Sequence, residues 1–332
     1  MSTGLAVPLF CVSIVLTLIA TVGFARQLDR ASERIGASEG LHGILTALGA
    51  DAPEISSAIA ALVIGNSQVG VGVVVGSNVF NLAALLGVSA VVAGHVRIHR
   101  HGLLLNGGVA LAVTGILTAL ILGALGAVPA TILLVAVIAP YVYFLSARPA
   151  RIAQVVRVPA VRRFLFTAVR EEVEDIGTGE VAREARRGDL LDLAASLIGI
   201  VAGSVGMVRA ATTLGHRWGI SDVIVGTLIL AALTSLPNLL TAVRLALHGR
   251  GSATVSEAFN SNSLNVVFGV AIPALFVSLG AATGLVTFSV WWLLGMTAVA
   301  VVLSYAGHGV RRAEGAVMIL LYVAFAAVIA TR

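Results

Sequence analysis

The sequence predicts an all-α integral membrane protein whose ten transmembrane helices form two inverted five-helix repeats. Three observations support this prediction: a very apolar composition, ten apolar segments of membrane-spanning length, and an internal match between the two halves. Of the 332 residues, 58% are hydrophobic and only 11% are charged, whereas a soluble globular domain carries about 25% charged residues. The chain therefore lacks the polar residues needed to cover itself in water, and we expect the lipid bilayer to surround it.

Ten apolar segments are long enough to cross the hydrocarbon core, which takes about 20 residues. They cover residues 5–24, 41–64, 68–92, 103–122, 127–146, 190–213, 220–246, 253–279, 284–304 and 313–331. The first segment lacks a basic leading region and a small-residue cleavage site, so we expect a span rather than a signal peptide. The chain thus divides into a first half at 1–146, a polar loop at 147–189 and a second half at 190–332.

Arginine alternates between the predicted loops. The loops after spans 1, 3, 5, 7 and 9 carry the arginines at 26, 30, 34, 97, 100, 148, 151, 157, 162, 163, 170, 183, 186, 187, 244, 250, 311 and 312, whereas the other loops hold Arg217 or none. Because arginine-rich loops stay in the cytoplasm, we expect a multi-pass cell-membrane protein with both termini outside. Loop 147–189 is then cytoplasmic, either a solvated linker, a short surface helix or a regulatory element.

The two halves match each other when the chain is shifted by 184 residues. This shift superimposes Pro53 on Pro237 without any gap. It also superimposes a first polar motif, Ser77, Asn78 and Asn81, on a second, Ser261, Asn262 and Asn265. The copies lie five spans apart, so they cross the membrane in opposite directions. Such inverted repeats are typical of secondary transporters with a site at the bilayer midplane.

Proline and acidic residues inside the matched spans indicate where that site lies. Pro53 and Pro237 are expected to break or kink their helices, which is tolerated in a membrane where the freed backbone lines a polar cavity. Asp51 and Glu54 flank Pro53, and a carboxylate within a membrane costs about 2.5–3.5 kcal/mol unless it is paired or coordinating. We therefore interpret both as functional, with helix capping as the alternative for Asp51. Glu257 lies four residues before the second polar motif and is a possible extra ligand.

These motifs resemble those of the calcium/cation antiporter superfamily, which includes the sodium/calcium exchangers. In the first repeat the matching sequences are "GADAPE" and "GSNVFN", and in the second they are "LTSLPN" and "NSNSLN". The resemblance implies a ten-span 5+5 plan with the cation between helices 2, 3, 7 and 8. Carried over residue by residue, it implies the ion ligands Glu54, Ser77, Asn81, Thr234, Ser235, Asn238, Ser261 and Asn265, and Asn78 and Asn262 belong to the same motifs.

The chain departs from the family pattern at two positions. Asp51 replaces a small hydroxyl residue, and Asn238 replaces the second glutamate. Both carboxylates, Asp51 and Glu54, then come from the first repeat, and together with Asn81 and Asn265 they form the core of the expected metal site. Two carboxylates balance one divalent ion, and Ca²⁺ takes about 6–8 oxygen ligands.

The resulting hypothesis is an alternating-access cation antiporter of the sodium/calcium exchanger type. It needs no cofactor; its partners are the lipid bilayer and inorganic cations, namely Ca²⁺ or another transported cation with coupling Na⁺ or H⁺. Glu54 is the principal charged ligand and a candidate proton-coupling group. The alternative is a proton-coupled exchanger of another cation, with Ca²⁺ not the substrate; an intramembrane acid/base enzyme and a non-transporting homologue also stay open. No nucleic-acid-binding motif is present, and the sequence leaves the ion, the stoichiometry and the oligomeric state undetermined.

Overall fold

The computed structural model describes residues 2–34, 39–146, 152, 154–176 and 189–331. Helices account for nearly all of them, with two short strands. The α-helices and strands are α1 (Thr3–Arg34), α2 (Glu39–Val63), α3 (Ser67–Asn81), α4 (Ser89–Ala93), β1 (His95–Arg97), α5 (Arg100–Ile121), α6 (Ala127–Ser146), α7 (Pro159–Ile176), α8 (Asp189–Arg217), α9 (Asp222–Ile224), α10 (Ala231–Thr234), α11 (Leu236–Leu247), α12 (Gly251–Val266), α13 (Gly284–Ala306), β2 (Gly309–Arg311) and α14 (Arg312–Ala330).

The helices confirm an all-α, multi-pass membrane protein. Among the described residues, eight helical segments are long and apolar enough to cross a membrane, and a ninth is counted if Asp222–Thr234 and Leu236–Leu247 form one bent span. Helix α2 is not among these candidates. It covers residues 41–63 of the predicted span 41–64 and contains Asp51 and Glu54, the two acids that lower its hydropathy. The count of ten stays a prediction.

Wider π-helical turns continue three of the helices. Leu82–Val88 follows α3 directly after Asn81, and Val267–Ala271 follows α12 two residues after Asn265. The third, Val225–Leu230, joins α9 to α10. A short 3₁₀ turn at Pro273–Leu275 ends the span that starts with α12. Segments of this kind frequently occur at functional sites, and two of the three adjoin the polar motifs.

The two matched prolines behave differently. At Pro237 the helix is interrupted: α10 ends at Thr234, α11 begins at Leu236, and the two are bent by 46°. Pro53, in contrast, lies inside α2, which runs without interruption from Glu39 to Val63. The predicted break at Pro53 is therefore wrong. Loss of one backbone donor does not end a helix whose flanking turns are held by packing, and residues 51–55 of α2 are all buried.

The arginine-rich loops meet on one face of the bundle. Strands β1 and β2 pair antiparallel, with His95 opposite Arg311, so the loops after spans 3 and 9 lie together. The His99 backbone N–H donates to Ser252 Oγ at 3.2 Å, which adds the loop after span 7. We call this side, marked by Arg97, Arg250 and Arg311, the arginine-rich face. On another side, the Arg217 guanidinium donates to Thr3 Oγ1.

A helix occupies much of the described part of the long polar loop. Helix α7 buries Leu165, Ala168 and Val169. The Glu171 carboxylate accepts hydrogen bonds from the backbone N–H groups of His101 (3.0 Å) and Gly102 (2.9 Å) at the start of α5. Of the alternatives for this loop, the short surface helix describes Pro159–Ile176 and the solvated linker does not, because one apolar side of the helix packs onto the bundle. Residues 147–151, 153 and 177–188, with Arg148, Arg151, Arg183, Arg186 and Arg187, lie outside the described residues.

Glycines allow the two halves to approach closely at the centre. A Cβ on Gly76 of α3 would lie within 2.7 Å of the Thr227 carbonyl carbon. A Cβ on Gly72, one turn earlier, would lie 3.2 Å from Gly226 Cα. Only glycine fits where backbones meet this closely. Helix α3 is thereby held against the π-helical segment Val225–Leu230 of the second half.

Candidate functional site

Two fully buried carboxylates form the centre of the polar cluster. Asp51 and Glu54 are both 0% exposed, and their three-residue spacing puts them on one side of α2. Four side chains of the second half donate hydrogen bonds to them: Ser235 and Asn238 at the α10–α11 bend, and Ser261 and Asn265 on α12.

Each carboxylate has its own set of donors, and Asn238 is shared. Asp51 Oδ1 accepts from Asn238 Nδ2 at 2.7 Å and from Ser261 Oγ at 2.5 Å. Glu54 Oε1 accepts from Ser235 Oγ at 2.5 Å and from Asn238 Nδ2 at 3.2 Å, and Glu54 Oε2 accepts from Asn265 Nδ2. Neutral donors thus stabilise two buried acids that would otherwise be very costly in a membrane interior.

The polar motifs of the two halves hold each other in a reciprocal pair. Asn78 Nδ2 donates to the Asn262 carbonyl oxygen at 3.0 Å, and Asn262 Nδ2 donates to the Asn78 carbonyl oxygen at 3.0 Å. These residues are 184 positions apart, the same shift that superimposes the two halves of the sequence. Asn81 Nδ2 donates to Ser261 Oγ at 3.0 Å. The asparagine pair joins α3 to α12 next to the carboxylates.

Several buried oxygens in this cluster accept no hydrogen bond. Within the described ranges, five such atoms lack any partner: Asp51 Oδ2, Ser77 Oγ, Asn81 Oδ1, Asn238 Oδ1 and Asn265 Oδ1. A buried acceptor without a donor is costly. Carboxylate, amide and hydroxyl oxygens are the ligands that hard cations such as Ca²⁺ prefer. The arrangement is therefore suited chemically to a dehydrated cation.

Comparison with known proteins identifies the family of the chain independently of the geometry of the site. The chain matches the family described as "Sodium/calcium exchanger protein" over residues 5–148 and 190–331. This chain belongs to the sodium/calcium exchanger family. The match leaves out residues 149–189, which include all of α7.

Individual relatives match the chain over shorter segments than the family model does. The chain is 29% identical over 141 residues to "Sodium/calcium exchanger MaX1" of Methanosarcina acetivorans, covering 42% of this chain and 40% of the relative. It is 39% identical over 97 residues to "Sodium/potassium/calcium exchanger 1" of Rattus norvegicus, covering 29% of this chain and 8% of the relative. The matched segments thus span less than half of the length of either curated relative.

Solved exchangers share the fold over nearly the whole chain. The sodium-calcium exchanger NCX_Mj aligns with a TM-score of 0.63 at 20% identity, covering 97% of this chain and 98% of that one. The H⁺/Ca²⁺ exchanger CAX aligns with a TM-score of 0.73 at 15% identity, covering 98% and 85%. At these identities the likeness shows the fold alone. The resemblance inferred from the sequence motifs is confirmed at the level of the family.

Not every predicted ligand joins the cluster. The Thr234 hydroxyl donates to its own helix, to the Leu230 carbonyl at 2.9 Å. No hydrogen bond joins Glu257 to the other predicted ligands in the described part of the chain. No group of three or more histidine, cysteine or acidic side chains that could hold a metal occurs among the described residues. The charge of the cluster is thus that of Asp51 and Glu54.

A second polar network beside the cluster has no counterpart in the sequence prediction. The Tyr141 hydroxyl of α6 lies 2.8 Å from Asn106 Oδ1 and 2.5 Å from Asn260 Oδ1, and Asn106 Nδ2 donates to Ser256 Oγ at 2.7 Å. It ties α5 and α6 to the side of α12 away from Ser261. These residues have no partner at the 184-residue shift, but asparagine within an apolar span was a usable signal.

Proposed function

We propose that this chain is a cation antiporter of the sodium/calcium exchanger type. Its ion binds between spans 2, 3, 7 and 8, which correspond to α2, α3, the bent α10–α11 pair and α12. One observation carries the proposal: two fully buried carboxylates are surrounded by amide and hydroxyl oxygens that accept no hydrogen bond in the described part of the chain. The proposed ligands are Asp51, Glu54, Ser77, Asn81, Ser235, Asn238, Ser261 and Asn265.

The asparagine amides provide a way to exchange protein donors for an ion. In the structure Asn238 and Asn265 turn their N–H groups toward the carboxylates. Rotation of an amide by half a turn replaces its N–H₂ with its oxygen. A cation between the carboxylates then receives the Asn238 and Asn265 oxygens, and on release the N–H groups return. The acids thus keep a compensating partner in both states.

We also propose an architecture for the transporter. The chain forms ten spans in two inverted repeats, and the two repeats rock against each other. The reciprocal Asn78–Asn262 hydrogen bonds support it, because residues related by the 184-residue shift contact each other symmetrically. The shared face of the loops after spans 3, 7 and 9 also agrees with the predicted order of spans. We place the arginine-rich face in the cytoplasm and both termini outside the cell membrane.

The charge of the site favours two alternative pairs of transported and coupling ions. Asp51 and Glu54 together balance one divalent ion, which favours Ca²⁺ exchanged for Na⁺. The neutral Asn238, in place of a glutamate, favours the alternative, a proton-coupled exchanger of another cation. A Na⁺ gradient that drives Ca²⁺ flux supports the first function. A pH gradient that drives cation flux, with no Ca²⁺ flux under a Na⁺ gradient, supports the second.

Vesicle transport tests the proposal directly. Purified protein in liposomes is assayed for cation flux while Ca²⁺, Na⁺, K⁺ and H⁺ gradients are varied one at a time. We expect Glu54→Gln to abolish exchange, because a neutral amide cannot balance the ion. The matched control is Glu314→Gln, since glutamine also fits the capping-box position that Glu314 occupies at the start of α14. Unchanged exchange in Glu54→Gln would refute the proposed site.

A further inference from the structure

A third carboxylate, Glu257, lies next to the proposed site but outside its hydrogen-bond network. Glu257, Ser261 and Asn265 follow each other at four-residue intervals on α12, so they lie along one side of that helix. Ser261 contacts Asp51 and Asn265 contacts Glu54. Helices α2 and α12 therefore run in the same direction where they pass each other, and Glu257 extends the row by one turn.

The same register shows what lies opposite Glu257. One helical turn before Asp51 is Ala47, which is buried and offers only a methyl group. Glu257 itself is half-buried, but its Oε2 atom is shielded and has no hydrogen-bond partner among the described residues. Asp51 accepts a hydrogen bond from Ser261, which follows Glu257 by one turn on the same side of α12, so the register places the two carboxylates near each other. Each of these two carboxylates has an oxygen without a hydrogen-bond partner among the described residues, Glu257 Oε2 and Asp51 Oδ2.

Glu257 has no equivalent in the first half of the chain. The 184-residue shift places it on Val73, which is fully buried in the apolar core. A structural acid required by the duplicated framework would be expected in both copies. Glu257 therefore adds negative charge to one end of the site only.

Glu257 lies at the end of the proposed site that is nearer the arginine-rich face. Ser252, in the first turn of α12, contacts His99 at that face. Glu257 comes five residues later, about 7.5 Å along the helix, and Ser261 follows after about 6 Å more. A cation that moves between this face and the Asp51–Glu54 pair along α12 therefore passes Glu257.

We propose that Glu257 and the free Oδ2 of Asp51 form a second, transient cation site on the arginine-rich side of the central site. This inference rests on the proposed function and deepens it, because it divides one binding site into two consecutive positions. An ion that enters from the arginine-rich face is first held by Glu257 and Asp51. Because Asp51 belongs to both positions, the ion can advance to Glu54 while it keeps one carboxylate ligand. Ions from the opposite face reach the central site without meeting Glu257.

The proposal predicts an effect that depends on the side of the membrane. Ca²⁺ uptake is measured in liposomes with Ca²⁺ supplied from one face or from the other. We expect Glu257→Gln to raise the half-saturating Ca²⁺ concentration about tenfold at the arginine-rich face, which corresponds to about 1.4 kcal/mol of binding free energy. At the opposite face that concentration stays unchanged. Glu257→Asp keeps the charge and is expected to restore most of the affinity.

The outcomes separate this inference from the function on which it rests. If wild-type vesicles exchange no cation, or Glu54→Gln exchanges normally, the proposed function fails. If wild-type exchange is normal but Glu257→Gln changes affinity equally at both faces or at neither, the transient site is refuted and the antiporter proposal stands. Equal effects of Glu257→Gln and Glu257→Asp would also refute it, because they indicate a packing role rather than a charged ligand.

Discussion

Asn238 offers the sharpest test of how the site balances its charges. Its Nδ2 group lies 2.7 Å from Asp51 Oδ1 and 3.2 Å from Glu54 Oε1, so one amide supports both acids. Asn238→Asp preserves the shape of the side chain, removes both donors and adds a third negative charge. The variant therefore isolates the electrostatic role of this position.

The expected cost follows from these contacts. Hydrogen bonds to charged groups contribute about 1.5–3 kcal/mol each, so the loss of two costs about 3–6 kcal/mol. Repulsion adds to this: two unit charges 4 Å apart interact by about 4 kcal/mol at an effective dielectric constant of about 20. Without cation, we expect the free energy of unfolding to fall by at least about 3 kcal/mol. A bound divalent cation recovers much of this loss, because three carboxylates then surround a positive charge.

Thermal unfolding of the detergent-solubilised protein, with and without Ca²⁺, measures both effects. At about 2–4 °C per kcal/mol for a large domain, the variant should melt at least about 6 °C below wild type without cation. Ca²⁺ should raise its melting temperature by more than it raises that of wild type. The control is Asn66→Asp, since aspartate also caps a helix where Asn66 Oδ1 accepts from Val69 N–H. Equal melting without cation, or an equal Ca²⁺ shift, would refute the reasoning.

Three further predictions concern the framework around the site. Gly76→Ala should destabilise the fold by several kcal/mol in thermal unfolding, because the added methyl group would meet the backbone of Thr227. Gly108→Ala, which has open space around it, is the control and should be neutral or stabilising. Equal melting temperatures of the two variants would contradict the close-packing argument. Asn78→Ala and Asn262→Ala should each cost about 1–3 kcal/mol, and their double variant should cost less than the sum; strict additivity would contradict the reciprocal pair. Glu171→Gln should speed hydrogen exchange at the start of α5 and in α7, measured by mass spectrometry, and unchanged exchange would show that this carboxylate does not hold α7.

The position of the site could be predicted from the sequence better than the hydrogen bonds within it. The 184-residue match identified Asp51, Glu54 and Asn238 because polar residues are rare in apolar spans, and each of them lies in the central cluster. The match aligned Glu54 with Asn238 and Asp51 with Ser235, but the contacts are crossed: Ser235 donates to Glu54, and Asn238 donates to both acids. Which atoms meet depends on the rotation and offset of α11 against α2, which periodicity does not encode.

Other features depended on tertiary packing and were predicted less well. Helix α7 was not distinguished from a linker, because its mixed charges conceal a short apolar side that is ordered only by the bundle. The predicted helix break at Pro53 did not occur, because a local rule for proline ignores the packed neighbours around which α2 continues through Pro53. Tyr141 and Asn260 have no polar counterpart at the 184-residue shift, and their pairing requires α6 and α12 to be adjacent.

The small ribbon of β1 and β2 also constrains how the protein is made. His95 pairs with Arg311, a residue that is added to the growing chain only after nine of the ten predicted spans have been synthesised. Until then the backbone of β1 is unpaired, and the loop after span 3 lacks its hydrogen bonds to β2. The same delay applies to Asp51 and Glu54, because Ser235, Asn238, Ser261 and Asn265, which donate to them, belong to the second half. The hydrogen bonding of the two acids is therefore completed only when the later helices have been synthesised.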